Sequence, residues 1–205
     1  MKKIATYFLG MAVLTLGQNL FVQAGIGAGA FDSFCVGLSS LTPISAGSWV
    51  AILSVVMMFL SALLEKRKPQ FSVLISSFVF GLFFDFWNLL LASVIAVPLP
   101  TEGKIITFTA GLLLAPLGTA IYFTTRFPKS AYDEIIVAIT SAFHLPIWAS
   151  KNIIEIIMIL LGICVGGPIA IGTLIIALAF GPILQKYLTL LEKKAIKPTT
   201  YQEIS

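Results

Sequence analysis

Two aspartates that occupy equivalent places in the sequence are the first candidates for chemistry. Asp32 and Asp133 lie 101 positions apart, each near the start of a short apolar stretch. A charged group inside a hydrophobic segment is costly to bury, so each carboxylate is a candidate functional group. One interpretation is that each carboxylate stabilises the positive end of its own helix. The other is that both line a polar cavity and bind a cation or a proton.

Further polar residues interrupt the apolar runs and are candidates for the same substrate- or ion-binding cavity. They are Gln18, Asn19, Asp85, Asn88 and Glu155. Asp85 and Asn88 lie one turn apart and therefore share a helix face. Gln18 and Asn19 suit hydrogen bonds to a substrate and contacts between helices equally well. Glu155 has a structural alternative, an ion pair with the lysine four residues before it.

A glycine-rich loop before Asp32 is the candidate segment for re-entry of the chain. Its glycines are Gly25, Gly27 and Gly29. A dinucleotide-binding fingerprint follows a β-strand, whereas this loop follows a long apolar run. We therefore predict a tight turn and a close approach of helices.

The remaining reactive residue types favour no catalytic site. The chain has one histidine and two cysteines, without the spacing of metal ligands and without a known catalytic motif. We predict that Cys35 and Cys164 are small buried hydrophobes. The sequence therefore predicts no enzyme, no metal site and no cofactor.

The composition indicates the environment in which the protein folds. Of the 205 residues, 58% are hydrophobic and only 11% are charged, and the mean hydropathy is +1.01. Soluble domains contain about 25% charged residues, and a fold of this size cannot bury so much apolar surface. We therefore predict an all-α membrane protein whose main partner is the lipid bilayer.

Six apolar runs are long enough to cross a hydrocarbon core, which takes about 20 residues. They cover residues 4–24, 46–64, 71–96, 105–125, 149–166 and 168–188. The first run resembles a secretory signal, but polar residues interrupt its second half, so we predict that it is retained. Two shorter apolar pieces, 30–42 and 131–145, predict re-entrant or interfacial helices.

The basic residues predict an orientation. With six crossings, all of the 13 lysines and arginines except Lys104 fall on the side of the amino terminus. Because cytoplasmic loops carry the excess of basic residues, both termini are predicted to be cytoplasmic. Orientation also accounts for the net charge of +4, so no nucleic-acid partner is predicted.

The two halves of the chain repeat each other. An offset of 101 residues aligns Lys3 with Lys104, Gly10 with Gly111, Gly17 with Gly118 and Asp32 with Asp133, and an offset of 100 aligns Gly81 with Gly181. We predict a first repeat over 1–97, a second over 98–190 and a cytoplasmic tail over 191–205. Each repeat has three spans and one short helix. Since three is odd, the second repeat is expected to be inverted in the membrane.

Three motifs carry a resemblance to a known group. They are Ala30-Phe31-Asp32 after the glycine-rich loop, the segment from Thr42 to Gly47, and Ile171-Gly172-Thr173 with Phe180-Gly181-Pro182. The first half departs from the last motif, because Phe71-Ser72-Val73 stands there. The chain resembles the YczE/YyaS/YitT-like bacterial integral membrane proteins. The resemblance implies a multi-pass protein of the bacterial cytoplasmic (inner) membrane and implies no set of binding residues.

The repeat favours one function over two alternatives. Inverted repeats are common in secondary transporters, whose substrate sites lie near the midplane at the repeat interface. We therefore predict a transporter of a small molecule or ion, with Asp32, Asp133 and Asp85 around a polar cavity. The alternatives are a non-transporting accessory protein and the substrate-binding subunit of a multi-component importer. Small-residue helix faces also suit a homo-oligomer or a partner membrane protein.

Overall fold

The computed structural model of the chain describes residues 2–95, 99–125, 127 and 130–194. Within these residues the backbone forms eight helices and no strand, in agreement with the predicted all-α class. The helices are α1 (Lys2–Ala24), α2 (Ala30–Leu41), α3 (Ala46–Leu64), α4 (Ser72–Val94), α5 (Thr101–Phe123), α6 (Ala131–Phe143), α7 (Ile147–Cys164) and α8 (Ile171–Lys194). Most of the predicted tail, and the boundary between the predicted repeats, lie outside the described residues.

Five helices have the length and hydropathy of a membrane span: α1, α3, α4, α5 and α8. Their outward side chains are apolar; Leu89 and Leu178, for example, are 75% and 79% exposed. The protein is therefore a multi-pass membrane protein. The predicted sixth span corresponds to α7, which has 18 residues and is not one of these five. Helices α2 and α6 have 12 and 13 residues, too few to span a bilayer.

Local sequence signals determine where several helices begin and end. The hydroxyl of Ser45 accepts a hydrogen bond from the backbone N–H of Ser48 at the start of α3. Ser130 makes the same bond with Asp133 at the start of α6. Each serine satisfies an N–H group that the helix itself leaves free. Helix α6 ends at His144, which has a left-handed conformation, and Pro146 precedes the next helix.

The centre of the bundle is the crossing of α1 with α5. Gly10 packs against Gly118, and Gly17 packs against Gly111. A β-carbon at Gly118 would lie 2.7 Å from the carbonyl oxygen of Gly10, and one at Gly111 would lie 2.7 Å from that of Gly17. Only glycine allows the two backbones to approach so closely. Residue numbers rise along α1 as they fall along α5, so the two helices are antiparallel.

Aromatic pairs lie on both sides of this crossing. The rings of Tyr7 and Tyr122 are 6.2 Å apart, and those of Phe21 and Phe108 are 5.2 Å apart, between centroids. With the offset of 101 residues, Tyr7 is equivalent to Phe108, and Phe21 is equivalent to Tyr122. The two aromatic pairs therefore occupy equivalent positions. The core packing therefore repeats with the same offset as the sequence.

Several other helix contacts follow the same exchange. Helix α4 packs on α1 as α8 packs on α5, and α6 packs on α3 as α2 packs on α7. Helix α2 also contacts α3 as α6 contacts α7. In each of these cases, the equivalent helices of the other half are also in contact.

One packing contact has no extensive counterpart. Helix α3 packs closely along α4, where Gly47 and Gly81 bring the two backbones together. Among the described residues, α7 and α8 make no comparable contact. Gly181, the counterpart of Gly81, has no atom within 4 Å of where its β-carbon would be. The two halves therefore differ in how their last helix is held.

Candidate functional site

The two short helices begin side by side. The ring of Phe31 at the start of α2 lies 5.3 Å from the ring of Tyr132 at the start of α6, between centroids. The two residues occupy the same position in the two halves, 101 residues apart. The candidate aspartates follow them directly, so one carboxylate from each half is brought to this junction.

Asp32 lies in the interior of the protein. It is the third residue of α2 and only 3% exposed. Its Oδ2 accepts a hydrogen bond of 2.9 Å from the amide Nε2 of Gln18 on α1. None of the ion pairs between described residues includes Asp32. The buried carboxylate therefore has a neutral side chain as its hydrogen-bond partner.

The surroundings of Asp32 leave one polar atom without a partner. The Oε1 atom of Gln18 is buried and has no hydrogen-bond partner. On the other side of the carboxylate, a β-carbon at Gly29 would lie 2.8 Å from Asp32 Oδ2. Glycine at this position therefore leaves room for the carboxylate at the start of α2.

Asp133 is more exposed than Asp32 and has several partners. Its Oδ2 accepts hydrogen bonds from the hydroxyl of Ser130 at 2.8 Å and from the hydroxyl of Tyr122 at 3.2 Å. Its backbone N–H donates to Ser130 in return. The hydroxyl of Ser130 is therefore the cap of α6, and the Asp133 carboxylate accepts from that same hydroxyl. Asp133 therefore lies in the first turn of α6, where Ser130 and not the carboxylate supplies the cap bond.

Asp85 lies at a different place from the two other aspartates. Its Oδ1 accepts a hydrogen bond of 2.8 Å from the backbone N–H of Gly47, and its Oδ2 accepts one from the hydroxyl of Ser45. Asp85 on α4 therefore caps the start of α3. Sequence reasoning found no partner for Asp85 because both partners lie about 40 residues earlier in the chain.

The polar residues at the end of α1 contact α4. The Nδ2 of Asn19 donates to the backbone oxygens of Thr15 and Phe84, both at 3.0 Å, while its Oδ1 is buried without a partner. Asn88 receives a long hydrogen bond of 3.5 Å from Gln23. Asn19 and Asn88 therefore take part in bonds that join α1 to α4, whereas the amide of Gln18 reaches Asp32 at the start of α2.

Glu155 makes the ion pair that the spacing predicts. Its Oε2 lies 3.7 Å from Nζ of Lys151, one turn earlier on α7. Glu155 also interacts electrostatically with Tyr132, as do Asp32 and Asp133. Tyr132 thus has carboxylates from α2, α6 and α7 in its surroundings.

The glycine-rich loop joins α1 to α2 and packs against the start of α8. Gly25 and Gly27 have φ of +66° and +123°, which L-residues with a side chain rarely adopt. The backbone N–H of Gly172 donates to the oxygen of Ile26 at 2.7 Å, and that of Ala28 donates to the oxygen of Pro168 at 2.9 Å. Backbone contacts thereby join the two halves at this loop.

Sequence reasoning missed an ion pair on the opposite side of the bundle. Arg67, between α3 and α4, pairs with Glu65 and with Glu134 on α6. Burial lowers the pKa of Arg67, but the hydrogen bonds and the negative charges of both glutamates together raise it more, so this pKa lies above its ordinary value. The counterpart contact is the hydrogen bond of 3.2 Å from Ser33 to the oxygen of Pro168. No signal in the sequence joins residues 67 positions apart.

The prediction for the cysteines is half right. Cys35 on α2 is buried, as expected, whereas Cys164 is exposed. Cys164 is the last residue of α7. Among the described residues, no group of three or more histidine, cysteine or acidic side chains is arranged to hold a metal ion.

Taken together, the junction of α2 and α6 is a buried polar site in an apolar bundle. It combines a carboxylate without a charged partner, an amide with one free oxygen and a phenol near three carboxylates. Such groups can bind a proton, a small cation or the polar groups of a solute.

Comparisons with known proteins define the family of the chain. The sequence profile of a family of unknown function, DUF6198, matches residues 1–189. No solved protein structure has significant similarity to the chain.

The similar proteins come from two bacteria. YyaS of Bacillus subtilis is 32% identical over 191 residues, which are 93% of this chain and 94% of that protein. YczE of the same organism, described as an uncharacterized membrane protein, is 25% identical over 180 residues, 87% of this chain and 82% of that protein. A protein of Haemophilus influenzae is 26% identical over 192 residues, 94% of this chain and 86% of that protein. The chain is therefore a member of the DUF6198 family and of the YyaS- and YczE-like group of membrane proteins.

Proposed function

We propose that the protein is a secondary transporter of a small solute, built from two inverted repeats. The observation that carries the proposal is the junction of α2 and α6. One short helix from each half starts there, and each contributes an aspartate beside the Phe31–Tyr132 contact. Secondary transporters place their substrate sites at such repeat interfaces.

The packing of α1 and α5 supports the inversion of the halves. These helices hold the same position in the two repeats, and they run antiparallel through the Gly10–Gly118 and Gly17–Gly111 contacts. If α2 and α6 also crossed the membrane, α1 and α5 would point the same way. The antiparallel crossing therefore favours three spans in each half, with α7 as the sixth span. At about 1.5 Å per residue, α7 is about 27 Å long.

The orientation is part of the proposal. With six spans, the segment with Lys66, Arg67 and Lys68 lies on the cytoplasmic side together with both termini. The ion pair of Arg67 with Glu134 is consistent with this arrangement, because it joins two segments that are expected on the same side. We propose the bacterial cytoplasmic membrane as the location.

Alternating access follows from the architecture. Two equivalent halves meet at α1 and α5, so a tilt of one half against the other exposes the junction to one side and then to the other. On the cytoplasmic side the halves are joined by Arg67 and Glu134. On the outer side they are joined by the backbone bonds between the glycine-rich loop and the start of α8.

A second candidate function is a subunit of a larger membrane assembly, such as a multi-component importer or an accessory protein. The open face of α8 favours it, because Gly181 there has no neighbour. Under this hypothesis, solute movement would require a partner chain, whereas the leading proposal needs only the protein and lipid.

A solute screen followed by a transport assay tests the proposal. The purified protein is heated in detergent with a panel of amino acids, organic acids, sugars and polyamines, since a bound solute raises the unfolding temperature. Each stabilising solute is then tested for counterflow in proteoliposomes. We expect stabilisation that Tyr132→Ala removes and that Leu178→Ala, on the lipid-facing surface, retains. Absence of counterflow for every stabilising solute with the protein alone would contradict a transporter.

A further inference from the structure

The acidic residues of the described bundle differ in how their charge is compensated. Glu65 and Glu134 pair with Arg67, and Glu155 pairs with Lys151. The Asp85 carboxylate caps α3 by accepting from the backbone N–H of Gly47, and the Asp133 carboxylate accepts from the hydroxyls of Ser130 and Tyr122. These side chains have a structural reason to be charged.

Asp32 lacks such compensation. It is 3% exposed, takes part in none of these ion pairs, and receives a hydrogen bond from the neutral Gln18. The start of α2 has glycine at its cap position and no side-chain cap bond. Burying a carboxylate without an opposite charge is costly, and the usual response is to bind a proton.

We propose, as a step that rests on the transport function above, that Asp32 binds the proton that couples solute movement to the proton gradient. A proton from the aqueous phase on one side binds a carboxylate oxygen of Asp32 and leaves to the other side after the halves have tilted. No other reactant is needed, because the carboxyl group returns to its starting state in each cycle.

Gln18 is suited to both forms of the carboxyl group. In the charged form its Nε2 donates to Asp32, as the structure has it, and its Oε1 is left without a partner. In the protonated form, rotation of the amide by half a turn lets the new O–H of Asp32 donate to Oε1. An amide carries a donor and an acceptor at nearly the same place, so one side chain serves both states.

The titratable groups around Asp32 are less suited than Asp32 to carry the proton. Cys35 on its own helix and Tyr132 on α6 interact with it electrostatically, and both have higher ordinary pKa values than a carboxyl group. Helix α3 contains no titratable residue, and neither does the segment 165–172 at the start of α8. On α7, Lys151 and Glu155 are paired with each other.

Infrared spectroscopy of the purified protein tests the protonation of Asp32 without any solute. A protonated carboxyl group has a C=O band that a charged one lacks, and the band shifts in D2O. We expect such a band to disappear with rising pH between roughly pH 5 and 9. Asp32→Asn should remove the band. Asp133→Asn and Asp85→Asn, the matched substitutions at carboxylates with two or more hydrogen-bond donors, should retain it.

Several results would overturn the assignment. They are a band that persists in Asp32→Asn, no titrating band in the wild-type protein, and a titration that NaCl shifts relative to choline chloride, which indicates a sodium site. If Asp32→Asn fails to fold, Asp32→Glu replaces it, and the band should then move in position and in pH.

The coupling step has a separate test in proteoliposomes. With a solute that the wild-type protein exchanges, a pH gradient should drive accumulation, and Asp32→Asn should lose this accumulation while Asp85→Asn keeps it. Accumulation by Asp32→Asn would overturn the inference alone. If the wild-type protein exchanges no solute but Asp32 titrates, the proposed transport function fails and the proton site remains.

Discussion

The ring of Phe31 packs against the ring of Tyr132 with 5.3 Å between their centroids, and the two residues hold the same position in the two halves. In the proposed inverted-repeat architecture, a contact between equivalent residues lies on the axis that relates the halves. At the centre of the bundle, Leu14 of α1 contacts Gly118 of α5, so the two halves also meet there. The two short helices therefore start where the halves meet. A substitution at the start of either helix should affect the packing of both helices.

Equivalent glycines in the two halves should respond to the same substitution in opposite ways. In Gly81→Ala the new methyl group would overlap the carbonyl oxygen of Gly47, so the free energy of unfolding should fall by about 1–3 kcal/mol. In Gly181→Ala the methyl group meets no atom within 4 Å, and the higher helix propensity of alanine should leave stability equal or higher by up to about 1 kcal/mol. Unfolding in detergent measures both. Equal losses would show that α8 is packed as closely as α4.

The loss of Arg67 and the loss of Glu134 should have unequal effects on the free energy of unfolding. Glu134 is 8% exposed, so Arg67→Ala leaves a buried carboxylate without its charge partner and should cost about 2 kcal/mol of stability. Glu134→Gln leaves Arg67 half-exposed and still paired with Glu65, so its cost should be smaller. The double variant should recover much of the loss of Arg67→Ala. A double-mutant cycle with no coupling between the two sites would contradict the contact.

Asp85 should contribute to stability as a helix cap. Asp85→Ala removes the acceptor for the backbone N–H of Gly47 and for the hydroxyl of Ser45, so we expect a loss of about 1–2 kcal/mol in the free energy of unfolding. Gln185→Ala, at the equivalent and exposed position of α8, is the matched control and should change stability little. If Asp85→Ala abolished solute binding without lowering stability, the capping role would be wrong.

Cysteine labelling should separate the two sides of the membrane. In a variant with Cys35 and Cys164 replaced by serine, Glu102→Cys and Lys68→Cys each add one thiol at an exposed position. The proposed orientation predicts that a membrane-impermeant maleimide labels Glu102→Cys in intact cells. Lys68→Cys should react only after the membrane is opened. Labelling of Lys68→Cys in intact cells would contradict the proposed topology, because it would place this residue on the outer side.

The length of the apolar runs was enough to predict the helices, because an apolar run of about 20 residues forms a helix in lipid. The predicted span 46–64 coincides with α3, and the short helices 30–42 and 131–145 match α2 and α6 to within two residues. Ends with charged residues were less predictable. The prediction began α5 at 105, but the helix starts at Thr101, and it ended α8 at 188, but the helix continues to Lys194, since charged side chains continue a helix beyond its apolar part.

The sequence by itself determined the class of protein and the helices and predicted the repeat, because hydropathy and self-similarity are properties of the chain alone. It also found the Lys151–Glu155 pair, whose spacing is local. Only the tertiary structure decided which carboxylates are compensated. The partners of Asp32, Asp85 and Glu134 lie 14, 40 and 67 residues away, and helix packing, not local spacing, determines such distances.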